Sequence, residues 1–274
     1  MRMRAKESFE ALRDDICARF EALETEFCPK NETPGKFART PWPYKGEGGG
    51  VISLMRGAVF EKVGVNVSAV SGEFSPEFRG AIPGATENGG AFFACGVSLV
   101  AHMRSPLVPA VHMNTRYIET SKSWFGGGAD LTPTFPYDED SADFHRTLQS
   151  ACDAYGADYY ERFKQWCDEY FYLPHRAEPR GVGGIFYDYL DSGDKEADFA
   201  FTQGVGQAFA KIYPAIVRRR ATEKWTPEQR EKLLYKRGRY AEFNLIHDRG
   251  TKFGLATGGN VEAILMSLPP EVKW

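Results

Sequence analysis

Between Ser98 and Asp130 the chain gathers His102, His112, Arg116 and an aspartate that follows three glycines. His112, Asn114 and Arg116 alternate with Met113 and Thr115, and a strand turns every second residue to one face. A proton carrier, an amide and a fixed cation would then share a row. A buried arginine in such a row must meet an anion. A carboxylate of the protein satisfies it, and so does a ligand carboxylate held in fork geometry. Asp130 comes just after Gly126, Gly127 and Gly128. Glycines in series weaken a strand, so their presence points to close approach by a backbone or a flat ligand. A carboxylate set there can accept hydrogen bonds or move a proton, or it can simply cap the following turn. His102 and His112 flank a short turn containing Pro106 and Pro109, and His145 and His175 lie farther along. Four imidazoles could ligate a divalent metal, but their spacing carries no metal signature, and separate structural roles are the alternative.

The elements that must position these residues follow from periodicity. Phe9, Leu12, Ile16, Phe20 and Leu23 recur at helical spacing and predict a helix over about residues 5–26. A Pro- and Gly-rich connection follows. VISLMRGAVFEK and GVNVSAVSGEF read as strands joined tightly; AFFACGVSLVAH, AVHMNTRYIET and SWFGGGADLTP read as three more. From about Asp138 the period changes, predicting helices over 139–154 and 157–172, a short strand at GVGGIFYDYL, and a helix over about 194–219. Gly204, Gly206 and Pro214 should weaken or kink that last helix. Thr226-Pro227-Glu228-Gln229 is a helix start with a reciprocal cap. YAEFNLIHDRG and TKFGLAT read as a hairpin about Asp248-Arg249-Gly250, before a short helix at VEAILMSL. Strands joined by turns rather than helical crossovers predict an α+β fold with a large, mainly antiparallel sheet flanked by helices on both sides. With no repeat and no low-complexity linker, residues 1–274 are expected to form one domain.

Composition narrows the function. A net charge of −3 offers no basic field for nucleic acid. No apolar run approaches membrane-span length, and the N-terminal segment lacks a signal-type apolar core, so a cytoplasmic protein is expected. Five scattered cysteines without a CxxC pair fit reduced thiols. The sequence lacks GxxxxGK[ST], HExxH and GxSxG, which removes the usual nucleotide, zinc-protease and serine-hydrolase readings.

Several long blocks, in order, carry a more specific signal. SLVAHMRSPLVPAVHMNTRYIE, WFGGGADLTP, YLPHRAEPRGVGGIFYDYL, YAEFNLIHDRGTKFGLATGG and ILMSLPP resemble the oxygen-dependent coproporphyrinogen III oxidases, from about Gly48 to Trp274. The resemblance implies an enzyme of haem biosynthesis that converts two propionates of coproporphyrinogen III to vinyl groups, giving protoporphyrinogen IX. Molecular oxygen would be the acceptor and co-substrate, with no organic cofactor. It implies Ser98 as a substrate contact and His112 as proton donor. Asn114, Thr115 and Arg116 would form one substrate-binding segment, and Gly258, Gly259 and Asn260 a second. Asp130 would hold the pyrrole N–H groups. His102, His112, His145 and His175 would be metal ligands, and a homodimer would form through the segment from about Tyr240. Two departures stand out: Asn260 occupies a position usually held by arginine, and Asp188-Tyr189 stands where relatives often read Asp-Asp. A non-haem iron oxygenase using His102, His112 and Asp130, and a non-catalytic tetrapyrrole carrier, are the competing readings.

Overall fold

The alternating segments between Ala38 and Thr132 pair in the order in which they occur along the chain. In the computed structural model, which describes residues 1–256 and 258–274, a helix α1 (Arg2–Phe27) precedes them. β1 (Ala38–Pro43), β2 (Glu47–Met55) and β3 (Phe60–Glu73) come next, then a single turn of helix, α2 (Pro76–Arg79). β4 (Ala91–Met103), β5 (Ala110–Glu119) and β6 (Ser123–Thr132) continue the sheet. Helices α3 (Asp138–Asp153) and α4 (Tyr159–Tyr170) interrupt it, followed by a small hairpin of β7 (Tyr172–Leu173) and β8 (Glu178–Pro179). β9 (Gly183–Leu190) then docks on β6, giving seven antiparallel strands in the order β1-β2-β3-β4-β5-β6-β9. The long helix α5 (Lys195–Arg220) and α6 (Pro227–Glu242) follow, then a π-helical turn (Phe243–His247), α7 (Arg249–Ala256) and α8 (Val261–Leu265). This is the α+β architecture expected from the sequence. No described helix is long and apolar enough to cross a membrane.

Period-two alternation gives the sheet two unlike faces. Cys95, Val97, Leu99 and Ala101 of β4, and Val111, Met113 and Tyr117 of β5, face a core completed by Phe9, Ile16 and Phe20 of α1 and Val205, Phe209 and Ile216 of α5. Each Val, Leu, Ile, Met or Phe among them contributes roughly 1.5–3 kcal/mol by leaving water. Helix α5 is not broken by its glycines. Asp194 caps it through the N–H groups of Glu196 and Ala197, and a Cβ at Gly206 would meet Leu12 at 2.4 Å, so that glycine is where α1 seats against it. The opposite face is covered only in part, by the end of α4 over Phe186 and His112 and by the C-terminal elements; Met266, for instance, lies over Gly64.

Two local expectations fail for tertiary reasons. The turn between β2 and β3 lies at residues 56–59, because the fully buried Glu24 of α1 accepts the N–H groups of Ala58, Val59 and Phe60 at 3.0, 2.9 and 2.7 Å. The predicted hairpin about Asp248 is helical instead. The capping box of Thr226 and Gln229 starts α6, and no proline follows Pro227 before Asp248, so the helix runs on past Gly238 into the π turn. Asp248 is then the start of α7, accepting Thr251 N–H at 2.6 Å. The apolar Leu245 and Ile246 that suggested a strand point outward.

Candidate active site

The polar row lies on the sheet face away from the α1–α5 core. Register places Asp130 opposite His112, Gly128 and Ser98 opposite Asn114, and Gly126 and Gly96 opposite Arg116. Ser98, His112, Asn114, Arg116 and Asp130 are therefore brought together. Thr115 is not: it takes the odd position on β5, is fully buried on the core side, and can meet a ligand on this face only through its backbone.

Hydrogen bonds link the row end to end. Arg116 Nη1 donates to Asn114 Oδ1 at 2.9 Å, Asn114 Nδ2 approaches His112 Nε2 at 3.0 Å, and His112 Nδ1 approaches Asp130 Oδ1 at 2.7 Å. Donor chemistry gives this chain a direction. An arginine only donates, so it fixes which end of the Asn114 amide is oxygen. The amide nitrogen must then donate to Nε2, leaving the imidazole proton on Nδ1, facing the carboxylate. Arg116 lies across Gly126, where an added Cβ would stand 2.8 Å from the guanidinium. At least one of the three glycines thus makes room for a side chain of the site.

Two arginine–aspartate pairs close the row. The sequence reading missed Arg180, which lies just after β8. Its Nη2 bonds Asp130 Oδ2 at 2.6 Å, with both side chains 2% exposed. Its guanidinium stacks within 4.0 Å of the Phe171 ring centre, 4.4 Å of Tyr240 and 4.7 Å of Phe243. A desolvated cation so enclosed is held by one carboxylate and three π faces. Burial would push the Asp130 carboxyl up. The Arg180 charge and the His112 and Arg180 hydrogen bonds outweigh that and hold it below the usual carboxylate range. With both oxygens engaged, Asp130 is turned into the protein, and it is His112 that stands at the edge of the row, 15% exposed. At the other end Arg116 Nη2 meets Asp188 Oδ2 at 2.9 Å. No local pattern marks Arg180; it is recruited by the docking of β9.

The four histidines do not converge. His102 is buried with Nε2 on the Ser267 carbonyl at 2.9 Å, and burial pushes its pKa down to about 3. His145 lies between the Val182 carbonyl and the Tyr160 hydroxyl. His175 lies between Glu242 and His247. Among the described residues no group of three or more His, Cys, Asp or Glu is arranged to hold a metal. A site built from His102, His112, His145 and His175 therefore does not fit these residues, since each ring is bound to a different partner. The triad of His102, His112 and Asp130 does not fit either, because His102 is fixed on Ser267 and Asp130 is spanned by His112 and Arg180. Gly258, Gly259 and Asn260 form the approach to α8. Gly258 adopts φ +71°, near Lys45, and Asn260 caps the helix through Ala263 N–H at 2.9 Å. Among the described residues no hydrogen bond joins these three to the row.

The comparisons with known proteins agree with the blocks in the sequence. The family model described as coproporphyrinogen III oxidase matches residues 4–274. Proteins named oxygen-dependent coproporphyrinogen-III oxidase from Rickettsia bellii (strain OSU 85-389), Rickettsia conorii (strain ATCC VR-613 / Malish 7) and Rickettsia akari (strain Hartford) are each 63% identical to it over 267 residues, covering 97% of this chain and 95% of theirs. A family model that matches residues 4–274, with relatives 63% identical over 97% of this chain, places the chain in the coproporphyrinogen III oxidase family.

Proposed function

We propose that this chain catalyses the oxygen-dependent conversion of coproporphyrinogen III to protoporphyrinogen IX in haem biosynthesis. Each of two propionates, with one O2 and one proton, becomes a vinyl group, CO2 and H2O2. This balances with oxygen as the only acceptor. The observation that carries the reading is the hydrogen-bonded row on the partly open sheet face, where a cation and an oriented imidazole adjoin.

In this reading Arg116 receives a propionate in fork geometry. Gly126 and Gly128, the β6 glycines in register with Arg116 and Asn114, add no side chain of their own beside the macrocycle. His112 moves the proton. With Nδ1–H on Asp130, its Nε2 accepts from the Asn114 amide, and a pyrrole N–H is the same kind of donor. The substrate can take the amide's place without changing the tautomer. Asp130 acts through His112, stabilising the imidazolium that forms. Electrons come from the electron-rich porphyrinogen itself once its N–H proton is withdrawn.

Incubation of the purified chain with coproporphyrinogen III, aerobically and anaerobically, tests this. Loss of two CO2 and four hydrogens should occur only with oxygen. No vinyl product under either condition would leave a tetrapyrrole carrier instead, and activity abolished by chelation would favour a metal oxygenase. A cytoplasmic homodimer completes the proposal, with the exposed Leu245, Ile246, Leu255 and Val261 supplying an apolar surface in the C-terminal segment. Leu245→Glu with Ile246→Glu should halve the mass seen by sedimentation; a dimer that survives would place the contact elsewhere.

A further inference from the structure

β9 departs from strict alternation once. Phe125 pairs with Leu190 and Gly127 with Tyr187, so Asp188 and Tyr189 together stand against Gly126 alone. Such a bulge re-aims side chains. Leu190 returns to the core, while Tyr189, at φ +52°, turns its exposed ring toward Trp124, with centroids 5.5 Å apart. Asp188 is thereby aimed at the row. Its Oδ1 accepts the Tyr189 N–H at 2.9 Å and its Oδ2 accepts from Arg116 Nη2 at 2.9 Å.

The guanidinium that is to receive a substrate carboxylate therefore already holds one. The two Arg–Asp pairs of the site differ in the way that matters for exchange. Arg180 and Asp130 are both 2% exposed, and separating them would strand two charges without water. Arg116 and Asp188 are 26% and 14% exposed, and Asp188 keeps a backbone N–H when Arg116 leaves it. Only this second pair can open at modest cost.

We infer that Asp188 is a placeholder carboxylate, holding Arg116 over Gly126 in the empty site and yielding it to a propionate on binding. This rests on the reading of Arg116 as the propionate contact. It makes Asp188 a specificity-determining residue. A ligand that brings its own carboxylate restores the pair it breaks, whereas a neutral analogue does not.

The test is anaerobic calorimetry, so that no turnover occurs, with coproporphyrinogen III and with its neutral tetra-amide, on the wild type, Asp188→Asn, Arg116→Ala and the double variant. Asn at 188 keeps an acceptor for the Tyr189 N–H and removes the charge; Asp188→Ser is the second variant if the first is unstable. D188N should tighten the tetra-acid about three- to tenfold and change the tetra-amide less than about twofold. In the R116A background the same substitution should gain less than about twofold, because the competition it relieves is gone. Unchanged or weaker acid binding in D188N would overturn the inference, and so would a gain that persists without Arg116, which would be plain repulsion. Unchanged acid binding in R116A alone is a separate result: it would refute the propionate role of Arg116 itself.

Discussion

At the scale of single residues, the Asp130–Arg180 pair joins stability to chemistry. Removing only the cation leaves a buried carboxylate uncompensated. Arg180→Met is therefore expected to lose about 3–5 kcal/mol in urea unfolding. Arg180→Met combined with Asp130→Asn leaves two neutral groups and should regain much of that stability. Turnover should stay depressed, by about 100-fold or more, because His112 no longer has its anion. Recovery of turnover with stability would show that Asp130 serves the fold alone. His112, Asn114 and Arg116 were legible because alternation on one strand is a local rule. Thr115 belonged to the same legible segment, yet the same rule sends it to the core. Arg180 was illegible since its partner lies on β6 and its aromatic enclosure comes from the residue that ends α4, from α6 and from the π turn.

At the scale of elements, β6 is shaped by what must lie on it. Gly126→Ala would thrust a methyl group into the Arg116 guanidinium. The strand should survive, because the displaced atoms end a flexible side chain. KM should rise about tenfold with kcat less affected, and an unchanged KM would mean that Arg116 does not bind substrate where it lies. Glu24 does comparable work for the β2–β3 turn. Glu24→Gln keeps the shape but aims an amide N–H at backbone donors, so a loss of about 2–4 kcal/mol is expected on denaturant unfolding. Glu24 falls on the apolar stripe of α1, four residues after Phe20, but helical spacing does not tell which distant N–H groups it meets, and the turn it holds was misplaced for that reason. The α6 start was legible because its cap is contained within four residues. The π turn after it was not, because Leu245 and Ile246 imitate a strand while facing outward.

At the scale of the whole molecule, Glu61 of β3 fastens α6 to the sheet. It meets Arg230 Nη1 at 2.7 Å and Arg237 Nη2 at 2.6 Å, and the Arg237 side chain is 2% exposed. Burial would raise the Glu61 carboxyl, but its hydrogen bonds from Arg230 and Arg237 and their charges hold it below the ordinary value of 4.5. A depressed native pKa stabilises the fold above the unfolded value, and that contribution is lost as pH falls below about 4.5. Glu61→Gln should therefore be less stable at neutral pH and show a shallower loss of stability on acidification. A parallel pH profile would assign acid sensitivity to other carboxylates.

The order of the sheet also implies an order in time. Strands β1 to β6 neighbour one another in sequence and can join successively, whereas β9 must wait until α3 and α4 have formed its connection. Both anchors of the row, Arg180 and Asp188, travel with that last strand. During refolding the β-sheet circular-dichroism signal should thus mature before tetrapyrrole affinity returns. Simultaneous recovery would mean that the seventh strand docks with the first six.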